Sequence, residues 1–189
     1  NNWPADNASD LTADDISSID NLAFIGLKTE HFEQMTPDAI SGITLGQFNT
    51  LVGVTGQNYT FSNGDSVDGL AVLSGFSAEQ VASLSMDIIS SSGFTMDNFS
   101  GHLSSDAMAD FSFTQISNIA EPATASEFLH NWPAENASEL TADDISSINE
   151  IAFVGLGTEH FEQMTPDAIS GINLGQFNML VNATGQNLT

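Results

Sequence analysis

Apolar residues recur in this chain as pairs three positions apart, and the pairs recur every eight: Ile16/Ile19, Phe24/Leu27, Phe32/Met35, Ile40/Ile43 and Phe48/Leu51. On one continuous α-helix a period of eight would rotate the apolar face by about 80° per repeat. Five pairs would then sweep around the helix and leave no fixed face to bury. Gly26, Pro37, Gly42 and Gly46 would interrupt such a helix as well. The spacing predicts one short helix per octad, with a tight turn between octads.

The clearest octads are Thr36-Pro37-Asp38-Ala39-Ile40-Ser41-Gly42-Ile43 and Thr44-Leu45-Gly46-Gln47-Phe48-Asn49-Thr50-Leu51. Thr or Ser opens each as N-cap, its hydroxyl accepting an orphan backbone N–H. Pro37 takes the first helical position, where a missing N–H costs nothing. Acidic residues follow in the first turn, at the positive end of the helix dipole. Capping-box pairs recur as Thr12/Asp15, Thr44/Gln47, Ser77/Gln80 and Ser112/Gln115. Looser pairs continue as Leu70/Leu73, Val81/Leu84, Met108/Phe111 and Ile116/Ile119. Burying two apolar side chains returns less than ordering eight residues costs, so an octad needs neighbours. The expected fold is mainly α: a solenoid-like stack of short helices.

A longer period lies over the short one. Residues 1–60 align without gaps to residues 130–189, with 47 identities in 60 positions, and all ten apolar-pair residues are retained. Residues 1–129 are therefore read as one tandem unit, with octads over 12–51 and 77–119, an irregular insert at 52–76 and a seam at 120–133. Residues 130–189 are read as the first part of the next unit, and the whole as a window on a longer array. Within the insert, Tyr59-Thr60-Phe61-Ser62, Asn63-Gly64 and Asp65-Ser66-Val67 read as a small β-hairpin with a type I′ turn.

Charge narrows the function classes. One Lys (Lys28) and no Arg stand against 25 acids, a formal net charge of −24. Nucleic-acid binding needs cations to displace phosphate counterions, and a polybasic membrane-surface segment needs the same. Both are excluded. No apolar run reaches membrane-spanning length. Zero Cys excludes disulfides, thiol catalysis and cysteine zinc sites.

Candidate chemistry is sparse. Gly64-Asp65-Ser66-Val67 looks like the nucleophile block of GDSL-type esterases, but none of the four His follows an Asp by three; no catalytic residue is assigned, and no enzyme is expected. His31 and His160 are read as helix-surface residues. Calcium takes hard oxygen ligands, so the carboxylates of Asp6, Asp10, Asp14, Asp15, Asp65 and Asp68 are its candidate ligands. Six Asn-x-Ser/Thr sequons make Asn7, Asn58, Asn98, Asn136, Asn182 and Asn187 the glycosylation candidates.

Two octads, Thr36-Pro37-Asp38-Ala39-Ile40-Ser41-Gly42-Ile43 and Ser77-Ala78-Glu79-Gln80-Val81-Ala82-Ser83-Leu84, resemble the T-P-x-x-φ-x-x-φ tandem octads of very large, acidic, Cys-free bacterial surface and secreted proteins. The resemblance covers about 60% of the chain. It implies an extracellular or cell-surface structural array and transfers no catalytic residue. The expected function is a self-associating repeat module of an extracellular filament, with copies of itself as partner. The alternative is the stalk of a large adhesin whose binding head lies elsewhere.

Overall fold

The computed structural model describes residues 3–53, 59–60, 66–67, 76–99 and 105–185. It is mainly helical, and it divides into two compact units, Asn1–Asp110 and Phe111–Thr189. The structural division therefore falls before the 129-residue sequence boundary.

In the first unit a 3-10 turn, Ala5–Asp10, precedes helices α1 (Ala13–Ser18), α2 (Asn21–Phe24), α3 (Thr29–Gln34), α4 (Pro37–Ser41) and α5 (Leu45–Val52). After the insert come α6 (Ala78–Ala82), α7 (Met86–Ile89), α8 (Met96–Phe99) and α9 (Ser105–Ala109). The second unit holds α10 (Phe113–Ser117), α11 (Pro122–Asn131), a 3-10 turn at Ala134–Glu139, α12 (Ala142–Ser147), α13 (Glu150–Phe153), α14 (Thr158–Gln163), α15 (Pro166–Ser170) and α16 (Leu174–Gly185).

Most of the described octads share one hydrogen-bond scheme. The N–H of the fifth residue donates to the N-cap carbonyl, as in Ile16 to Thr12, Ile40 to Thr36 and Val81 to Ser77. The N–H of the eighth donates to the carbonyl of the fifth, as in Ile19 to Ile16, Ile43 to Ile40 and Leu84 to Val81. The eighth residue then turns extended, Ile19 at φ −72°, ψ 129° and Met35 at φ −68°, ψ 143°, which ends the helix and delivers the next N-cap. Predicted capping boxes are present at Thr12/Asp15, Thr44/Gln47, Ser77/Gln80 and Ser112/Gln115. Substitutions between the copies keep the caps. Asp20 accepts from Leu22 N–H where Asn149 accepts from Ile151, and Asn173 replaces Thr44 as acceptor for the glutamine N–H.

Helices pack three octads apart. The 5–10 turn meets α3, α1 meets α4, and α2 meets α5. Across the insert α4 meets α6 and α5 meets α7; then α6 meets α9. In the second unit the 134–139 turn meets α14, α12 meets α15, and α13 meets α16. The first member of each early pair forms the core: Ile16, Phe24, Phe32, Ile40 and Phe48 are all buried. Leu70/Leu73 lie outside the described residues.

The seam at residues 120–133 is itself helical. Pro122 opens the ten-residue α11 at its first turn, with Glu121 as N-cap, and Phe128 and Leu129 are buried. In the insert, a two-residue antiparallel ladder pairs Tyr59 with Val67 and Thr60 with Ser66. A two-residue turn at Asn63-Gly64 would pair Thr60 with Val67 instead. The observed register leaves residues 61–65 as the connection, and these lie outside the described residues.

Candidate functional site: buried latches between octads

The fourth residue of an octad is the third helical residue, whose side chain faces back toward its own N-cap. Where it is Gln or His, it does two jobs at once. Gln47 Oε1 accepts from Thr44 N–H at 2.8 Å, while its Nε2 donates to the carbonyls of Ile16 at 2.7 Å and Ile19 at 2.8 Å. Gln176 repeats this with Asn173 N–H at 3.0 Å and the carbonyls of Ile145 at 2.7 Å and Ile148 at 2.9 Å. Gln80 accepts from Ser77 N–H and donates to the carbonyls of Phe32 and Met35 at 2.8 and 2.6 Å. All three side chains are buried. Each closes its own capping box and ties off the carbonyl end of an earlier octad, one of the groups a helix end leaves unpaired.

Histidine does the same with a ring. His31 Nδ1 accepts from Lys28 N–H at 3.0 Å and its Nε2 lies 3.0 Å from the Trp3 carbonyl. His160 bridges Gly157 N–H and the Trp132 carbonyl at 3.0 and 2.8 Å. An accepting Nδ1 leaves the proton on Nε2, which therefore donates to the carbonyl. Each ring also stacks on the indole whose carbonyl it holds, Trp3 on His31 at 5.3 Å and Trp132 on His160 at 6.4 Å. The surface reading of these histidines is corrected: both are buried, because the latch needs the ring between two octads. The carbonyls of Trp3, Ile19, Trp132 and Ile148 all lie 28 residues before the side chain that binds them.

Of the described candidate carboxylates, Asp15 closes a helix cap. Asp15 accepts from the Thr12 N–H at 3.0 Å and the Thr12 hydroxyl at 2.7 Å. Asp6 and Asp14 lie in first turns, and Asp10 ends the first 3-10 turn. Among the described residues no three His, Asp or Glu side chains gather as a metal-holding group; Asp65 and Asp68 lie outside them. Of the sequon asparagines, Asn7 and Asn136 are exposed on the 3-10 turns and Asn182 is exposed on α16. Asn98 is half-buried and its Nδ2 donates to the Gly93 carbonyl at 2.7 Å, so its amide nitrogen is engaged by the fold. Asn58 and Asn187 lie outside the described residues. A crevice in the second unit, lined by Ile116, Ala125, Leu129, Ile148 and Ala152, holds about 20 Å³, room for one water and not for a substrate.

Two carboxyls are held below their ordinary values. The Thr12 hydroxyl, then its N–H, lowers Asp15; the Thr124 side chain, with the Thr124 and Ala123 N–H groups, lowers Glu121 against its partial desolvation. A folded-state value below the unfolded one adds stability above the unfolded value, and that stability is lost as the pH falls through the folded one. Asp15→Ala is therefore expected to destabilise the chain at neutral pH. The deficit shrinks as the pH falls through the region below 3.8, the ordinary value for Asp15. Urea titrations of both chains at neutral and acid pH check this. An equal deficit at both would assign the loss to shape alone.

No protein-family model, curated protein or solved structure matches the chain.

Proposed function

We propose that the chain is a structural repeat module of an extracellular filament or fibrous surface assembly, a solenoid of octad helices that associates with copies of itself and carries no catalysis. The observation that supports this reading most is the repeated packing rule. Helices meet partners three octads on in both units, and side chains with the same two-ended bonding tie octads together in both copies. A rule that refers only to neighbours extends without limit, which is the logic of a quasi-one-dimensional protein. The same apolar pairs recur after 129 residues, a spacing suited to a regular lateral register. The resemblance to octads of acidic bacterial surface proteins supports the extracellular placement.

The charge sets the conditions for assembly. Residues 1–129 carry 17 acids and one base, so copies repel one another over a Debye length, and salt bridges cannot join them. Lateral contact then rests on apolar surface, backbone pairing, hydroxyl and amide bonds, or bound cations such as calcium. Electron microscopy of the purified chain across salt and calcium concentrations is expected to show filaments that shorten or dissolve at low salt with chelator. Monomers under every condition would count against self-association. Filaments indifferent to salt and chelator would leave the filament standing and remove the cation requirement.

A further inference from the structure

Residues 31–43 and 160–172 are identical in sequence, yet their surroundings differ. Ile40 and Phe48 are 0% and 1% exposed, while their counterparts Ile169 and Phe177 are 40% and 56% exposed. Among the described residues, a cover over this face is present in one unit only. In the first unit α6 lies on α4 and α7 lies on α5. There the Phe76 ring sits 5.3 Å from the Phe32 ring, and Gln80 holds the carbonyls of Phe32 and Met35. Among the described residues of the second unit nothing stands in the place of α6 and α7, and the carbonyls in the corresponding places are those of Phe161 and Met164.

We propose that the open face of α15 and α16 is a docking site for a further pair of octad helices of the Ser-x-x-Gln-φ-x-x-φ kind, seated as α6 and α7 are on α4 and α5. The apolar side chains of the incoming pair cover Ile169 and Phe177, and its glutamine amide reaches the carbonyls of Phe161 and Met164. The site is built for this occupant, because a nearly identical sequence, differing over residues 31–51 only at Thr44/Asn173 and Thr50/Met179, binds it in the first unit. A second open face from another copy is a poorer fit. It offers apolar side chains, but its own latch, Gln176, already holds the carbonyls of Ile145 and Ile148. Such a pairing would leave Phe161 and Met164 without a glutamine. Docking here does not require filament assembly, so either reading can fail alone.

The test appends residues 61–129 of this sequence after Thr189, which corresponds to Thr60 and so keeps the register. Hydrogen exchange read by mass spectrometry is compared between the chain as it stands and the extended chain. Amides of 166–180 are expected to exchange about tenfold more slowly in the extended chain. Changing the appended counterpart of Gln80 to Ala is expected to remove most of that protection. Exchange in Ala13–Ser18 reports folding in the same samples. If the extension does not fold, a peptide of residues 76–94 added to the full chain gives the same reading, with a Gln80→Ala peptide as control. Unchanged exchange at 166–180 with either form of the pair overturns the proposal. So does protection that appears in the unextended chain and rises with its concentration, since a second copy would then be the occupant.

Discussion

Gly42→Ala is expected to destabilise the first unit by about 2–4 kcal/mol, in the upper range for overpacking a closed site. The reason is not backbone conformation. Gly42 sits at φ −78°, ψ −6°, which Ala adopts freely. Without other contacts the change would stabilise by about 0.4–1 kcal/mol, because Ala has fewer unfolded conformations to lose. The cost comes from the packing of α1 against α4. A Cβ on Gly42 would overlap the carbonyl oxygen and Cα of Ala13, backbone atoms that cannot swing away. Gly171 faces Ala142 in the same way, so Gly171→Ala is expected to cost a similar amount in the second unit. Gly46 supplies the control. Its nearest neighbour is the tip of the Asn21 side chain at 3.0 Å, which can move, and the position is helical. Gly46→Ala is therefore expected to be neutral or stabilising by up to about 1 kcal/mol. Urea unfolding of the three variants checks the contrast. A Gly42→Ala chain as stable as the parent would mean that α1 and α4 do not approach so closely.

That close approach also marks the limit of what the octad pattern reveals. The first members of the pairs Ile16/Ile19 through Phe48/Leu51 are all buried, and Thr12, Thr36, Thr44 and Ser77 identify the helix starts, because both are local properties. Which octad lies on which is different. It depends on the angle the chain turns at each extended eighth residue, such as Ile19 and Met35, and an angle repeated three times is not written in any one residue. Gly42 carries a trace of it: a glycine at a helix end with negative φ has no conformational need to be glycine, so its smallness points to a neighbour. The latches were half legible. Gln47, Gln80 and Gln115 read as capping-box partners, which uses one end of the side chain. The other end reaches another octad in Gln47 and Gln80, and only their burial reveals it. His31 and His160 occupy the same octad position as Gln47 and Gln80, and that shared position was the available signal. Within the seam at residues 120–133, Pro122 could either end a helix or open one. Behind Glu121, whose carboxylate takes the Ala123 and Thr124 N–H groups, it opens a helix.

Gln47→Ala is the second large effect, expected to cost about 2–4 kcal/mol from the polar groups it strands. Truncation removes the acceptor for Thr44 N–H and the donor shared by the Ile16 and Ile19 carbonyls. The Ile16 carbonyl keeps the Ile19 N–H, so the main loss falls on the Ile19 carbonyl, the Thr44 N–H and the volume of a fully buried side chain. Exposed Gln34, the same residue type in the same unit, is the control, and Gln34→Ala is expected to stay within about 0.5 kcal/mol. Two further replacements separate shape from bonding. Gln47→Glu keeps the size and the acceptor, but turns a carboxylate oxygen toward two carbonyls, with no donor between them. It is expected to be at least as damaging as Ala at neutral pH. His160→Gln moves the other way, placing in the second copy the side chain that Gln47 and Gln80 use at that octad position, and it is expected to lose less than His160→Ala. Gln47→Glu tolerated as well as Gln34→Ala would mean that the amide donates to neither carbonyl, and the bonds between octads would then have to come from apolar packing alone.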